Sequence, residues 1–253
     1  MINHNTAFWR APLLAGLMIL LAGCASTDEM MRTDPDPLVK YNRPMFTFND
    51  KLDKAVFKPV AKAYNAVMPP LANTAVTNFF GNLRDVVTLA NALLQLKFHQ
   101  AAMDTSRVIA NTVFGLGGLI DVARHMDLPK HDEDFGQTLS YWSGAEGYYL
   151  VLPVLGPNST VDIWGLPGDS VANPLYFVST TTAAWAGLQT LYFVDLRADL
   201  LRIERVIEDM QIDPYAFQRQ AYLQRRRNLV YDGNPPTLKP DFEESEGAAP
   251  QTQ

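Results

Sequence analysis

Apolar residues recur at helical spacing along most of the chain. Met45, Phe48, Leu52, Val56, Val60, Ala63 and Val67 fall on one side of a helical wheel, with Asp50, Lys51, Asp53, Lys54, Lys58 and Lys62 elsewhere, the pattern of an amphipathic helix. Pro59 predicts a kink or split in it, and Pro69-Pro70 its end. Further helical patterns run through Val76, Phe79, Phe80 and Leu83, then Val86, Ala90, Leu93 and Leu94, then Ala102, Thr105, Ile109 and Val113, with Gly115 as a stop. Near the C-terminal end, Phe193, Leu196, Leu200, Ile203, Ile207 and Met210 alternate steps of three and four between charged residues, which predicts a long helix. Asp213-Pro214, a cap followed by a first-turn proline, starts another that runs to Tyr231 before Gly233. Arg225, Arg226 and Arg227 lie in its last turns, where cations complement the helix dipole, and read as a solvated helix end. No run of period-two alternation stands out, so the pattern predicts an all-α fold.

The chain opens differently. Residues 1–23 contain no acid and one strong base, Arg10, followed by an apolar run from Leu13 to Leu21. That is the layout of a secretory signal peptide, and the run is shorter than the roughly 20 residues needed to span a bilayer. It closes on Leu21-Ala22-Gly23-Cys24, which resembles the bacterial lipobox, so Cys24 is expected to carry acyl chains and to begin the mature protein. At about 0.8 kcal/mol per buried methylene, several chains make a practically permanent anchor. Ala25, rather than aspartate, follows the cysteine, which by resemblance to enterobacterial sorting signals favours the outer membrane. Residues 24–40 then read as the lipidated N-terminus and a polar tether, residues 41–232 as one helical domain, and residues 233–253, Pro-rich and acidic, as a disordered tail.

Composition narrows the function. The 253 residues are 47% hydrophobic and 19% charged, with a formal net charge of -6 and one cysteine. The mean hydropathy of -0.07 is too polar for a multi-span helical membrane protein, and the acidic balance disfavours a nucleic-acid partner. Charge is distributed unevenly: from residue 135 to 194 only Glu146, Asp162 and Asp169 are charged, and no Lys or Arg lies between Lys130 and Arg197. A dry core and a lipid-facing surface both fit this stretch. The second explains why its helices would lack a charged outer face, and Trp142, Tyr148, Tyr149, Trp164, Tyr176, Trp185 and Tyr192 are the residue types that gather at a headgroup layer. Because Pro and Gly break the apolar runs, short helices and loops around a polar passage fit better than spanning helices. Asn158, Ser159, Thr160, Asn173, Thr180 and Thr181 are candidate lining residues of such a passage, and Gly115, Gly117, Gly118, Gly144 and Gly147 are candidate hinges.

The remaining constellations offer little chemistry. Gly168-Asp169-Ser170-Val171 invites comparison with the nucleophile motif of GDSL-type lipases, but no histidine follows His131 to serve as base. His131-Asp132-Glu133-Asp134 has ligand-like residue types without a recognised metal spacing, and Asp134 with Gln137 reads as a helix cap. Gly115-Leu116-Gly117-Gly118 lacks the rest of a dinucleotide or phosphate-loop pattern and reads as a turn. No catalytic residue, metal site or cofactor is predicted.

Six stretches, in order, resemble the MlaA (VacJ) family of outer-membrane lipoproteins: Tyr41-Asn42-Arg43-Pro44-Met45-Phe46-Thr47-Phe48-Asn49, Asn78-Phe79-Phe80-Gly81-Asn82-Leu83, the segment from Asn111 to Asp121, Asp134-Phe135-Gly136-Gln137-Thr138-Leu139, Gly147-Tyr148-Tyr149-Leu150-Val151-Leu152-Pro153 and Asp213-Pro214-Tyr215. The resemblance covers roughly residues 35–232, with Tyr149 where many members have proline. It implies an all-helical ring lying in the outer membrane with an amphipathic central channel. Through it, phospholipids misplaced in the outer leaflet would pass to a periplasmic lipid carrier for retrograde transport, in association with a trimeric porin and with no enzymatic step. A structural porin-associated envelope lipoprotein and a membrane phospholipase are the alternatives. Cys24→Ala is expected to abolish incorporation of labelled acyl chains while some membrane association persists through residues 135–194; undiminished labelling contradicts the lipobox reading.

Overall fold

The computed structural model describes residues 36–177, 181–208 and 213–236, with the backbone alone for residues 202 and 205–208. The signal peptide, Cys24, most of the tether and nearly all of the C-terminal tail lie outside the described residues. Helix α1 (Val39–Leu52) passes through a π-helical turn (Asp53–Phe57) into α2 (Lys58–Val67). The split predicted at Pro59 takes this form. Proline lacks an N–H and its ring crowds the carbonyl four residues earlier, and the widened turn, in which Lys58 N–H reaches back to Asp53 O, absorbs the mismatch without ending the helix.

The two patterns around Val76–Leu83 and Val86–Leu94 form a single helix, α3 (Pro70–Leu94), followed by α4 (Phe98–Val113). After a glycine turn and a 3-10 segment (Ala123–Met126) comes α5 (Phe135–Ser143), capped by the Asp134 side chain, which accepts from Gln137 N–H at 2.7 Å. Then follow a hairpin of β1 (Tyr149–Leu152) and β2 (Gly156–Ser159), helix α6 (Asp162–Ala172), a second 3-10 turn (Pro174–Tyr176), α7 (Thr182–Glu208) and α8 (Pro214–Val230). Asp213 caps α8 as predicted, accepting from Tyr215 N–H. The long C-terminal helix starts earlier than its charged repeat, at Thr182.

The hairpin departs from the all-helical expectation, and its cause is tertiary. Its strands pair antiparallel, with Tyr149 opposite Ser159 and Leu152 opposite Gly156, yet Gly-Pro-Asn-Ser in β2 has little intrinsic strand tendency. The other edge of β1 is completed by two side chains of α1 at heptad spacing. Asn42 accepts from Val151 N–H (2.9 Å) and donates to Tyr149 O (3.0 Å), while Asn49 donates to Leu152 O (2.8 Å) and accepts from Val154 N–H (2.8 Å). The helix thus supplies amide partners where a third strand would. The bond that Val154 N–H donates to Asn49 accompanies a φ of 66° at Val154, a conformation that β-branched residues avoid.

Contacts between elements close a circuit: α1 leads into α2, α2 packs on α7, α7 on α3, α3 on α6, α6 on β2, β2 on β1, and β1 on α1. Helix α4 lies along α3, α5 along α6, and α8 packs on α5 and β2. This is the ring-like helical arrangement that the resemblance implied, with a small hairpin as one segment of its wall.

Among the described residues, buried apolar side chains gather in two small clusters, Ala61 with Ala198 and Leu201, and Tyr149 with Val151 and Tyr215. The buried positions include many polar ones, among them Asn42, Asp85, Asn91, Gln95, Asp104, Arg107, Asn111, Glu133, Gln137 and Asp195. Large apolar residues point outward instead: Val60 and Val67 on α2, Ile109 and Val113 on α4, Leu200 and Ile203 on α7. The charge-poor stretch follows suit, with Trp142, Trp164, Tyr176, Phe177 and Trp185 exposed. It is therefore an apolar surface rather than a dry core. No helix among the described residues is long and apolar enough to cross a membrane.

Replacing Asn42, fully buried, with alanine strands Val151 N–H and Tyr149 O and is expected to cost about 2–4 kcal/mol. Asn49→Ala, less buried, should cost about 1 kcal/mol. Chemical denaturation of the two variants checks the order; equal effects would mean that the α1–β1 pairing is not what holds the hairpin.

Candidate functional site: a charged cleft in a polar interior

Glycines bring α5 and α6 into close contact. A Cβ on Gly165 would stand 2.4 Å from Gly136 N, and one on Gly168 would stand 2.5 Å from the Phe135 ring. This crossing sets Asp162 and Asp169, one heptad apart on α6, beside the N-terminus of α5. The last turns of α8 face the same place, and together with α3 and the segment before α5 they enclose a cleft of about 150 Å³. Its lining includes three arginines, Arg84, Arg225 and Arg226, and four aspartates, Asp132, Asp134, Asp162 and Asp169, with Pro157, Asn158, Leu166, Tyr222 and Leu229 completing it.

The charges are paired unevenly. Arg226 reaches both Asp134 and Asp162, and Tyr222 donates its hydroxyl to Asp162. Arg84 and Arg225 each place an Nη2 at 2.6 Å from Asp132, one on each carboxylate oxygen. Asp169 forms no ion pair among the described residues; its Oδ1 accepts from Phe135 N–H (2.8 Å) and the Asn91 amide (3.2 Å). Burial is the largest influence on Asp134 and opposes its charge, but Arg226 and Gln137 outweigh it and hold the carboxyl below its usual range. For Asp169 burial prevails. It pushes the carboxyl up to about 6, with the Phe135 N–H opposing and the Asp134 charge adding to the rise.

Behind the cleft, polar side chains run inward in a chain. Thr138 donates to Asn91 (2.9 Å), Gln95 donates to Thr138 (3.1 Å) and Glu133 (2.9 Å), and Lys97 and Gln100 donate to the other Glu133 oxygen at 2.9 and 3.0 Å. Arg107, buried on α4, joins Asp85, Asp121 and Leu128 O. Across the circuit, Asp195 of α7 accepts from Tyr64 of α2 and Thr77 of α3, both at 3.0 Å.

Sequence reasoning placed only part of this. Of the candidate lining residues, Asn158 borders the cleft. Ser159 caps the start of α6 by accepting from Asp162 N–H, Thr160 accepts from Tyr148 N–H, Asn173 from Leu175 N–H and Thr181 from Ala184 N–H; Thr180 lies outside the described residues. The candidate hinges also divide. A Cβ on Gly115 would stand 2.1 Å from Ile120 O, and Gly118, at φ 96°, would meet Asn82 at 2.7 Å. Backbone bonds from Gly117 and Gly118 to Thr112 and Asn111 staple that turn to α4. Gly144, by contrast, has open space around it, while Gly147 lies against Val161.

Arg226 is not part of a solvated helix end, as its position near the end of α8 implied. Partners ninety-two and sixty-four residues earlier hold it in the interior, and a helical pattern carries no information about such partners. Ser170 donates to Leu166 O (2.8 Å) and His131 contacts Asp104 (2.7 Å), so the structure does not bring the two together as nucleophile and base. Among the described residues no group of three or more acidic, His or Cys side chains is placed to hold a metal ion.

The sequence model of the MlaA lipoprotein family matches residues 34–229. The chain belongs to the MlaA lipoprotein family. It is 35% identical to the intermembrane phospholipid transport system lipoprotein MlaA of Shigella flexneri, and 34% identical to that of Escherichia coli K12, in each case over 87% of both chains. A solved structure from work on the structural basis for maintenance of bacterial outer membrane lipid asymmetry superposes with a TM-score of 0.67 at 32% identity, covering 79% of this chain and 99% of that one. The MlaA resemblance read from six short motifs thus extends over the whole helical circuit.

Asp169 makes the site pH-sensitive in a definite direction. A carboxyl that binds its proton more tightly when folded loses stability as pH rises from its ordinary value of 3.8 to about 6. Asp169→Asn is therefore expected to stabilise the protein at neutral pH by on the order of 1 kcal/mol, allowing for solvent screening, and to change little near pH 4. Denaturation at the two pH values checks this; an equal gain at both contradicts the environment assigned to Asp169.

Proposed function

We propose that the protein is an outer-membrane lipoprotein that takes misplaced phospholipids from the outer leaflet and passes them to a periplasmic carrier for retrograde transport, without changing covalent bonds. The observation that carries this reading is the inverted distribution of polarity around a closed helical circuit. An apolar exterior suits acyl chains as surroundings. A polar interior offers a headgroup the partners it loses on leaving water, where an unsatisfied group costs several kcal/mol. A passage polar on one side and apolar on the other is what a whole phospholipid requires, and the relatives named for phospholipid transport agree with it. The acyl anchor at Cys24 would keep the ring at the membrane, facing the periplasm. Association with a trimeric porin belongs to the same reading, as do opening and closing at the glycine turns, with Gly115, Gly117 and Gly118 in one and Gly144 and Gly147 in the other.

Cells lacking the protein are expected to accumulate phospholipid in the outer leaflet, and re-expression to clear it; a deletion that leaves the leaflet unchanged refutes the transport reading. Embedding is tested separately. In an unacylated Cys24→Ala background, Trp164→Asp and Phe177→Asp each replace a side chain that is 71% exposed, so stability should hardly change. Each loses about 2 kcal/mol of apolar transfer free energy, and partition into vesicles should fall at least tenfold. Undiminished partition would mean that this face does not enter the bilayer.

A further inference from the structure

The uneven pairing in the cleft gives it a polarity of its own. Arg84 and Arg225 share the single carboxylate of Asp132, each through one Nη2, so two guanidinium charges stand on one negative charge. Both side chains are substantially exposed, and each guanidinium carries further N–H donors suited to a phosphate. In the same cleft Asp169 has two neutral hydrogen-bond donors and no ion pair among the described residues, with the Arg84 charge only a minor influence on it. Leu166 and Leu229 add apolar lining. A ligand matching this arrangement bears an anionic and a cationic group a short distance apart and joins an apolar body.

We infer that the cleft is a headgroup site for phosphoethanolamine, with the phosphate against Arg84 and Arg225 and the ammonium against the Asp169 carboxylate. The inference rests on the phospholipid reading and gives it a headgroup preference. The cleft of about 150 Å³ is of the size that accepts a benzene ring, enough for a phosphate and an ammonium two carbons apart. With three arginines and four aspartates, the lining carries a formal charge of one negative. A zwitterionic headgroup leaves that balance unchanged. A phosphoglycerol headgroup adds a second negative charge and gives Asp169 no cation, so like-charge repulsion disfavours it.

The test titrates the full-length purified lipoprotein in detergent with glycerophosphoethanolamine, glycerophosphoglycerol and inorganic phosphate, following binding by calorimetry. Wild-type protein should bind the ethanolamine compound about tenfold more tightly than the glycerol compound, the ratio that one modest charge contact gives. Asp169→Asn keeps the oxygen that accepts from Phe135 and Asn91, and should bring the two within about twofold. Arg225→Gln should weaken both. Equal binding of the two compounds to wild type, a preference that survives Asp169→Asn, or no binding of either compound overturns the assignment. Inorganic phosphate binding as tightly as the ethanolamine compound would mark a free-phosphate site and overturn it as well. If deletion still causes outer-leaflet phospholipid to accumulate while the preference is absent, the conduit stands and the headgroup site falls; a deletion without effect removes the conduit itself.

Discussion

An interior built from amides and ion pairs is the constraint on which the rest of the structure depends. A buried polar group left without a partner costs about 1–3 kcal/mol, so each of Asn42, Asn91, Gln95 and Arg107, all buried, must meet its partner at hydrogen-bonding distance. Apolar side chains can slide past one another at little cost, whereas Asn42 between Tyr149 and Val151, or Gln95 between Glu133 and Thr138, admits one arrangement. The apolar clusters are too small to define the fold. Polar pairing fixes the relative positions of helices that a greasy core would hold more loosely.

The outward placement of apolar residues follows directly. The α2–α7 contact is small at its centre, where Ala61 meets Ala198 and Leu201, and charged around it, where Arg197 grips Asp53 and Glu204 and Lys58 also reaches Glu204. With the polar faces of both helices turned toward each other, Val60, Leu200 and Ile203 have only the exterior left. Exposed apolar area on this scale is uncommon in a protein surrounded by water, and it is continuous in character with the charge-poor segment around Trp164 and Phe177.

The cleft shows the same logic at its most concentrated. Close glycine contacts between α5 and α6 make room for Arg226 to reach Asp134 and Asp162, joining α8 to the circuit. The Asp134 cap of α5 and the Asp162 start of α6 thereby serve local helix geometry and long-range electrostatics at once. Asp169, on the same face of α6, has only neutral donors, and that leaves the charge asymmetry from which a headgroup preference follows.

Local chemistry decided much of the fold before any tertiary contact. Apolar periodicity placed the principal helices, Asp134 and Asp213 their starts, and the glycine run after Val113 a turn, because caps and amphipathic repeats act within a few residues. Membership of the MlaA family was also legible, as an ordered set of short motifs. Tertiary structure decided the rest. Periodicity states that two faces of a helix differ, not which one turns inward; partners far along the chain settle that, as Asp195 does for α7 and Asp53 for Arg197. The β2 segment becomes a strand only because β1, itself completed by amides from α1, lies beside it. Which partners Ser159, Thr160 and Asn173 take was not legible either: each accepts from a backbone N–H that the fold places beside it. The groups that make the cleft distinctive, Arg84, Arg225 and Asp169, have ordinary helical surroundings in sequence, and only the folding of α3, α6 and α8 onto one another sets their charges in a common space.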